Sequence, residues 1–393
     1  MTASAQLSTL PALTAAEAEH SRALLELLRG RIRDAHGFVD FETFMELALY
    51  APGLGYYSAG SAKLGAAGDF VTAPEISPLF GECVAQQCVP ILEETAGEIL
   101  EIGAGSGRLA AVLLQRLDAL GRLPRRYAIL EVSADLKARQ REHLEALPPR
   151  IRQRVSWLER LPQQPLAGVM LANEVLDALP VQRLVLRADG PRVRGVGLGA
   201  DGALIEQERP APAEVRARLA AVLGALPEPL PEDYECELSL RLGPWLASLA
   251  ACLQRGVMLL FDYGLPRAHY YHPERRYGTL RCHFRHRAHD DPLRCVGVQD
   301  ITAWVDFTAV AEAADAGGLE VLGFATQAAF LLGNGLAERA ASGDGIERLR
   351  RASEAHRLLM PGEMGEAFKV MALGRDWRAP LAGFAHQDLR GSL

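Results

Sequence analysis

The sequence predicts an α/β fold of Rossmann-like type, a seven-stranded, mostly parallel sheet with helices on both faces. Two observations carry this. From Glu98 onward, short apolar runs alternate with stretches of helical apolar spacing, the pattern of parallel strands joined by crossover helices. The first of these runs, EILEI, opens into a turn of small residues, GAGSG, before a helix-like stretch. The carboxyl end of a strand therefore meets a turn whose backbone can approach a ligand closely.

Residues 16–37 and 39–51 carry apolar residues at helical spacing and read as an N-terminal helical cap. Residues 51–82, rich in Gly, Pro and Ser, read as largely loop, and a loop of that length is functional or mobile. Residues 98–103 are the first strand, 108–121 a helix closed by the C-cap glycine Gly121, 125–132 the second strand and 135–147 a helix. The third strand lies in 154–161, and the fourth, with its exit loop, in 168–181. Residues 182–208 alternate and carry Asp-Gly turns at 189–190 and 201–202, which predicts antiparallel hairpins. Residues 213–226 and 235–254 read as helices and 255–264 as the fifth strand. A loop-like insertion over 265–300 precedes a helix over 301–318. The sixth strand falls in the first half of 319–333 and the seventh in 366–375. The expected organisation is a helical cap and glycine-rich lid loop over 1–84, then a core over 85–393 with insertions at about 182–235 and 265–300.

Hydrophobic residues make up 49% of the 393, enough for a sizeable core, and the net charge of −7 argues against a nucleic-acid partner. No run of about 18 apolar residues exists, so no membrane span is expected. The first residues lack a basic start and an apolar core, and Glu17 and Glu19 argue against an Arg-rich transit peptide. The six cysteines, Cys83, Cys88, Cys236, Cys252, Cys282 and Cys295, are dispersed without a C-x-x-C pair. That usage suits reduced thiols and a cytoplasmic location.

The turn Gly103, Ala104, Gly105, Ser106, Gly107 decides between two ligand classes. A dinucleotide fingerprint needs a glycine where this chain has Arg108, which excludes a nicotinamide oxidoreductase. With Glu101 two places before Gly103, the segment instead matches the E/D-x-G-x-G-x-G turn that binds S-adenosyl-L-methionine. That cofactor has no pyrophosphate to place; its methionine end carries an ammonium, which Glu101 can offset, and a carboxylate, which turn amides can face. The second strand ends at Glu131, Val132 and Ser133, where a carboxylate accepting from both ribose hydroxyls belongs. A solvated strand-end acid is the plain structural reading of Glu131. Trp157, Leu158 and Glu159 would supply contacts to the adenine.

Seven blocks in this order, GDFVTAPEISPLFGE (68–82), LEIGAGSGRLA (100–110), LANEVLDALPV (171–181), FDYG (261–264), TLRCHFRH (279–286), VQDITAWVDF (298–307) and MPGEMGEAFKVM (360–371), together resemble the MidA family of methyltransferases. The resemblance runs from about Phe38 to Met371. It implies a class I methyltransferase sheet, S-adenosyl-L-methionine as cofactor and a protein acceptor. The mitochondrial members methylate an arginine of a respiratory complex I subunit and are needed for its assembly. Where they continue Leu-Pro-Val-His, Val181 here is followed by Gln182. The Ala/Leu/Arg-rich composition points to a bacterial source.

Methyl transfer is an in-line displacement, so the acceptor atom must be positioned and its proton removed. An arginine acceptor stays charged near neutral pH, and carboxylates can hold its planar fork. Asn173, Glu174 and Asp177 follow the fourth strand, and one helical turn there would put Glu174 and Asp177 on one side. Asn173 is assigned to positioning of cofactor or acceptor, Glu174 and Asp177 to acceptor binding or proton acceptance. The structural alternative is that Asp177 caps a turn and Glu174 bonds backbone. The loop 68–82 is expected to fold over the methionine end as a lid, with Asp69, Thr72 and Glu75 near the cofactor; alternatively Asp69 and Thr72 organise turns that Pro74 and Pro78 stiffen. Residues 265–294 hold five of the ten histidines, yet Cys282, His283 and His286 lack the spacing of a fourth ligand, so no metal is expected. This basic segment reads as a rim or partner-docking element. Asp300 and Asp306 are secondary carboxylates, Asp300 being equally suited to start a helix. A small-molecule methyltransferase and a cofactor-binding assembly factor without turnover are the alternative functions.

Overall fold

A computed structural model describes residues 10–58 and 72–393. The N-terminal helices are α1 (Ala15–Asp34) and α2 (Phe41–Tyr50), the first started by a capping box between Thr14 and Glu17. They are followed by α3 (Pro78–Thr95), α4 (Arg108–Ala119), α5 (Ala134–Glu145), α6 (Leu242–Cys252) and α7 (Phe307–Ala316). The central sheet contains β1 (Glu98–Ile102), β2 (Tyr127–Leu130), β3 (Val155–Leu158), β4 (Leu166–Asn173), β5 (Leu253–Leu265), β6 (Glu320–Thr326) and β7 (Phe368–Arg375), in the order β6-β7-β5-β4-β1-β2-β3. Strands β1 to β5 pair in parallel, and β7 runs antiparallel to both its neighbours. The two-residue strand Val305–Asp306 adds to the end of β5.

Both faces of this sheet are covered, which is why its strands are apolar almost throughout. Val169 and Leu171 point into the cluster under α3 and α4, while Met170 and Ala172 point into the cluster under α6 and α7. Val257, Leu259 and Phe261 alternate with Met258 and Leu260 in the same way on β5. The register aligns Ile102 with Leu130 and Ala172, and Asn173 with Phe261. Consequently β1, β2, β4 and β5 all end on one edge. Chain order reverses between β1 and β4, the switch point at which such sheets bind ligands.

A second, antiparallel sheet is built from Gln182–Arg187, Gly190–Leu198, Leu204–Pro210 and Glu235–Leu238. The Asp-Gly dipeptides sit at its two hairpin turns. Phe38–Asp40, between α1 and α2, joins this sheet and ties the helical cap to it. The expected domain boundary after residue 84 lies inside α3.

Four stretches differ from expectation. Residues 235–254 are not helical throughout: Glu235–Leu238 is a strand, since Cys236 and Leu238 alternate inward beside the helical stretch, and α6 starts only at Leu242. Residues 301–306 are extended and the following helix starts at Phe307, because Asp306 accepts from the amides of Thr308 (3.0 Å) and Ala309 (3.1 Å) as its N-cap. Asp306, rather than Asp300, is thus the helix-starting residue. The 265–300 insertion contains a short helix, Arg267–Tyr270, and a three-stranded sheet of Arg281–Phe284, Arg287–His289 and Asp300–Thr302. Lastly, the end of the supposed loop 51–82 is helical at Ala73–Ile76 and from Pro78 on.

Candidate active site

A cavity of about 330 Å3 opens at the edge where β1 and β4 part. Its size suits a small organic molecule. Gly103, Ala104, Gly105 and Ser106 of the turn after β1 form one wall, while Gly107, also expected at the cofactor, does not line the cavity; the three glycines have φ of +66°, +54° and +83°, a region that disfavours side chains. A Cβ on Gly107 would stand 3.2 Å from Cα of Gln140, so α5 already packs against the turn. The Ser106 hydroxyl donates to Glu75, whose carboxylate also lies 3.7 Å from the guanidinium of Arg108. These bonds fasten the helical segment Ala73–Ile76, with Thr72 and Glu75 in the wall, to the glycine turn.

Two acids flank the turn. Glu101 is 2% exposed and accepts from the Tyr127 hydroxyl at 2.8 Å. Burial pushes its carboxyl up to about 7; the Tyr127 bond opposes this and the charge of Glu131 adds to it. Glu131, at the end of β2, accepts from the Ser133 amide (2.9 Å) and from Nε2 of Gln140 (3.0 Å). Burial raises it also, against the pull of those two bonds. Gln140 is fully buried: Nε2 donates in addition to the Gly105 carbonyl at 3.0 Å, while Oε1 accepts from Nε1 of Trp157 at 3.0 Å. One side chain therefore joins the glycine turn, the β2 acid and β3.

The third part follows β4. Asn173 and Glu174 both line the cavity, and Nδ2 of Asn173 donates to Glu174 Oε1 at 3.0 Å. Glu174 has φ +53°, a strained conformation for a residue with a side chain, and its amide continues the ladder to the Phe261 carbonyl at 2.8 Å. Burial pushes its carboxyl up to about 8, with the charge of Asp177 adding and the Asn173 bond opposing. Beneath it, fully buried Asp262 accepts through Oδ2 from the amides of Val175 (3.2 Å), Leu176 (2.9 Å) and Asp177 (3.3 Å). Asp262 thus holds the turn that carries Glu174.

The structure corrects several placements. The segment after Glu174 is a turn rather than a helical one, so Asp177 does not share the cavity wall with Glu174. Asp177 is 5% exposed, its carboxyl is raised by burial, and its Oδ1 has no hydrogen-bond partner. Leu158 ends β3 against the α6 cluster and is not in the wall. Trp157 is turned to Gln140 and Arg141, and Glu159 pairs with Lys137 at 2.8 Å. Val132, by contrast, lines the cavity and is 74% exposed beside it, and Ser133 lines it while capping α5. Asp69 lies outside the described residues. Asp300 accepts from the Tyr57 hydroxyl at 2.9 Å, and Asp306 pairs with Arg267 at 3.2 Å. Several insertion arginines are spent internally: Arg267 on Asp306 and Glu312, Arg285 on Glu17 and Arg281 on Asp290. Cys282 is buried among apolar side chains. No cluster of three metal ligands and no helix long and apolar enough to cross a membrane occurs among the described residues.

Wall residues that sequence reasoning missed include Tyr50, Tyr57 and Trp245, supplied by α2, the segment after it and α6. Gln140 was missed too, although it interrupts the buried stripe Leu136, Leu144 of α5, which is a signal in itself. The cavity volume, the glycine turn and the two flanking acids fit a nucleoside with an amino-acid end.

Comparison with known proteins agrees. The family described as "Putative S-adenosyl-L-methionine-dependent methyltransferase" matches residues 83–325. A crystal structure of a Burkholderia thailandensis protein bound to S-adenosyl-homocysteine superposes with a TM-score of 0.92 at 41% identity, covering 98% of this chain and 100% of that one. Protein arginine methyltransferase NDUFAF7, mitochondrial, of Danio rerio is 27% identical over 94% of each chain. The Drosophila melanogaster homolog is 30% identical over 91% of this chain and 86% of its own. The chain, with its glycine turn, paired acids and seven motif blocks, belongs to the MidA-like family of S-adenosyl-L-methionine-dependent methyltransferases.

Proposed function

We propose that the protein methylates a guanidinium nitrogen of an arginine in a protein acceptor. The observation that carries this reading is Glu174: a carboxyl group in the wall of a cavity whose other end suits the cofactor, on a left-handed residue whose amide bonds the Phe261 carbonyl and whose following turn is bonded by Asp262. The names of the mitochondrial relatives support arginine as acceptor.

When bound, the cofactor supplies an electrophilic methyl group on a sulfonium sulfur. Glu131 would accept from the ribose hydroxyls, with Gln140 fixing its orientation. Glu101 would face the ammonium, and the Gly103–Gly107 turn would admit the amino-acid carboxylate close to backbone. Glu174 would hold the guanidinium and orient one nitrogen. Glu174 would take the proton that the acceptor nitrogen gives up on receiving the methyl group. Burial and the neighbouring acid Asp177 disfavour the ionised form of Glu174, and the positive charge of a bound guanidinium would favour it. Asp177 acts through its charge on Glu174 rather than by touching the acceptor.

We place the enzyme in a bacterial cytoplasm, a location supported by six free thiols and the likeness to the Burkholderia protein. A respiratory-complex subunit is the first acceptor to try. The test is to incubate the protein and labelled cofactor with a lysate of cells lacking it, then to map the label. Label on an arginine, lost with Glu174→Gln protein that still binds S-adenosyl-homocysteine, supports the proposal. Label on a small molecule or another side chain refutes it.

A further inference from the structure

Tyr50 and Tyr57 line the cavity as one aromatic unit: their rings stack with centroids 5.5 Å apart and an interplanar angle of 23°. Tyr56, which is buried and outside the cavity wall, meets Tyr57 edge-on at 5.1 Å. The partners of their hydroxyls show which end of the cavity they serve. Tyr50 donates to the Ala178 carbonyl at 2.9 Å, in the turn that follows Glu174. Tyr57 donates at 2.9 Å to Asp300, whose charge acts on Glu174. The stack therefore abuts the Glu174 end and not the Glu131 end. Both hydroxyl protons are spent on the protein, and burial raises both phenols above their usual range, so neither ring offers a donor or a phenolate base. What the rings offer the cavity is aromatic surface.

We infer that the Tyr50–Tyr57 stack and Glu174 form an acceptor site selective for a planar, delocalised cation, a guanidinium in preference to an ammonium or a neutral amide. The inference rests on the arginine reading above and names the residues that set its specificity. An aromatic face attracts cations, and a guanidinium stacks on it with less loss of hydration than an ammonium. A carboxylate can then accept from the edge of the same planar group.

The test is saturation-transfer NMR on the full chain saturated with S-adenosyl-homocysteine, titrated with Nα-acetyl-arginine amide, Nα-acetyl-lysine amide and Nα-acetyl-citrulline amide. Wild type should prefer the arginine probe by about tenfold over the other two, and the probe's δ-methylene should shift upfield under the rings. Tyr50→Leu and Tyr57→Leu should each weaken the arginine probe about tenfold and erase its preference over lysine, with unchanged S-adenosyl-homocysteine affinity. Tyr50→Phe, which keeps the ring, should restore the preference. Leucine variants that bind the arginine probe like wild type would overturn the aromatic role and leave the arginine reading standing. Equal binding of arginine and citrulline, or no binding of any probe, by wild type would remove the arginine reading itself. Should the leucine variants fail to fold, the ring-current shift in wild type decides: its absence overturns the inference.

Discussion

The carboxylate of Asp262 accepts a 2.9 Å hydrogen bond from the amide of Leu176, joining the FDYG end of β5 to the turn after β4. Two neighbouring amides share the same oxygen, so a single buried side chain sets the path of the segment that presents Glu174. Asp262→Ala leaves these amides without an acceptor and should cost about 2 kcal/mol in denaturant unfolding. Asp262→Asn keeps a carbonyl oxygen and should cost less. Turnover should fall more than cofactor affinity in the alanine protein; unchanged stability and turnover would show that the turn holds its own shape.

Gln140 is expected to act on the cofactor without touching it. Gln140→Leu removes its bonds to Glu131, the Gly105 carbonyl and Trp157 at similar volume. Affinity for S-adenosyl-homocysteine should drop about tenfold, the equivalent of one lost hydrogen bond to a charged group. Calorimetry giving wild-type affinity would mean that Glu131 needs no such support.

Glu75 fastens the segment Ala73–Ile76 to the glycine turn through Ser106 and Arg108. Glu75→Ala should raise the dissociation rate of S-adenosyl-homocysteine severalfold and change its association rate little, since lost restraint shows mainly in release. Stopped-flow displacement measures both rates. Unchanged release would confine Glu75 to a local structural role.

The raised acids fix the sign of a pH effect. Glu101 ionises at about 7 in the folded protein, against an ordinary value of 4.5. Below 4.5 it is protonated in both folded and unfolded chains. Between there and about 7 the unfolded chain gives up the proton first, so the native state binds more protons and loses stability as pH rises. Glu101→Gln cannot ionise. The stability of wild type relative to this variant should therefore decline from pH 5 to pH 7 and level off above it, as thermal melts of ligand-free protein can show. A relative stability that rises over that range would mean that Glu101 is stabilised as an anion.

Much of the cavity wall around the glycine turn was legible in the sequence because it is local. The strands β1, β2, β4 and β5 are mostly apolar runs, and Glu101 lies just inside the end of β1 while Glu131 directly follows β2. The acceptor end was less so. Tyr50 and Tyr57 reach the cavity through contacts between segments far apart in the chain: Phe38–Asp40 pairs with the inserted sheet, and the two hydroxyls bond Ala178 and Asp300. Glu174 and Asp177 were expected on one helical face, but Glu174 has a left-handed backbone and the residues after it form a turn whose amides bond Asp262 on β5, so only Glu174 lines the cavity. Glu235–Leu238 read as helix because its four-residue alternation merges into the helical spacing of α6. Leu158 was placed at the adenine by strand order alone, and its side of the sheet faces α6.

The most direct test is a crystal structure of this chain with S-adenosyl-homocysteine. Predicted are ribose hydroxyls on the Glu131 carboxylate and an amino-acid end lodged against the Gly103–Gly107 turn, with the sulfur directed toward Glu174. A ligand seated elsewhere, or one that leaves Glu131 facing solvent, would contradict the assignment of the site.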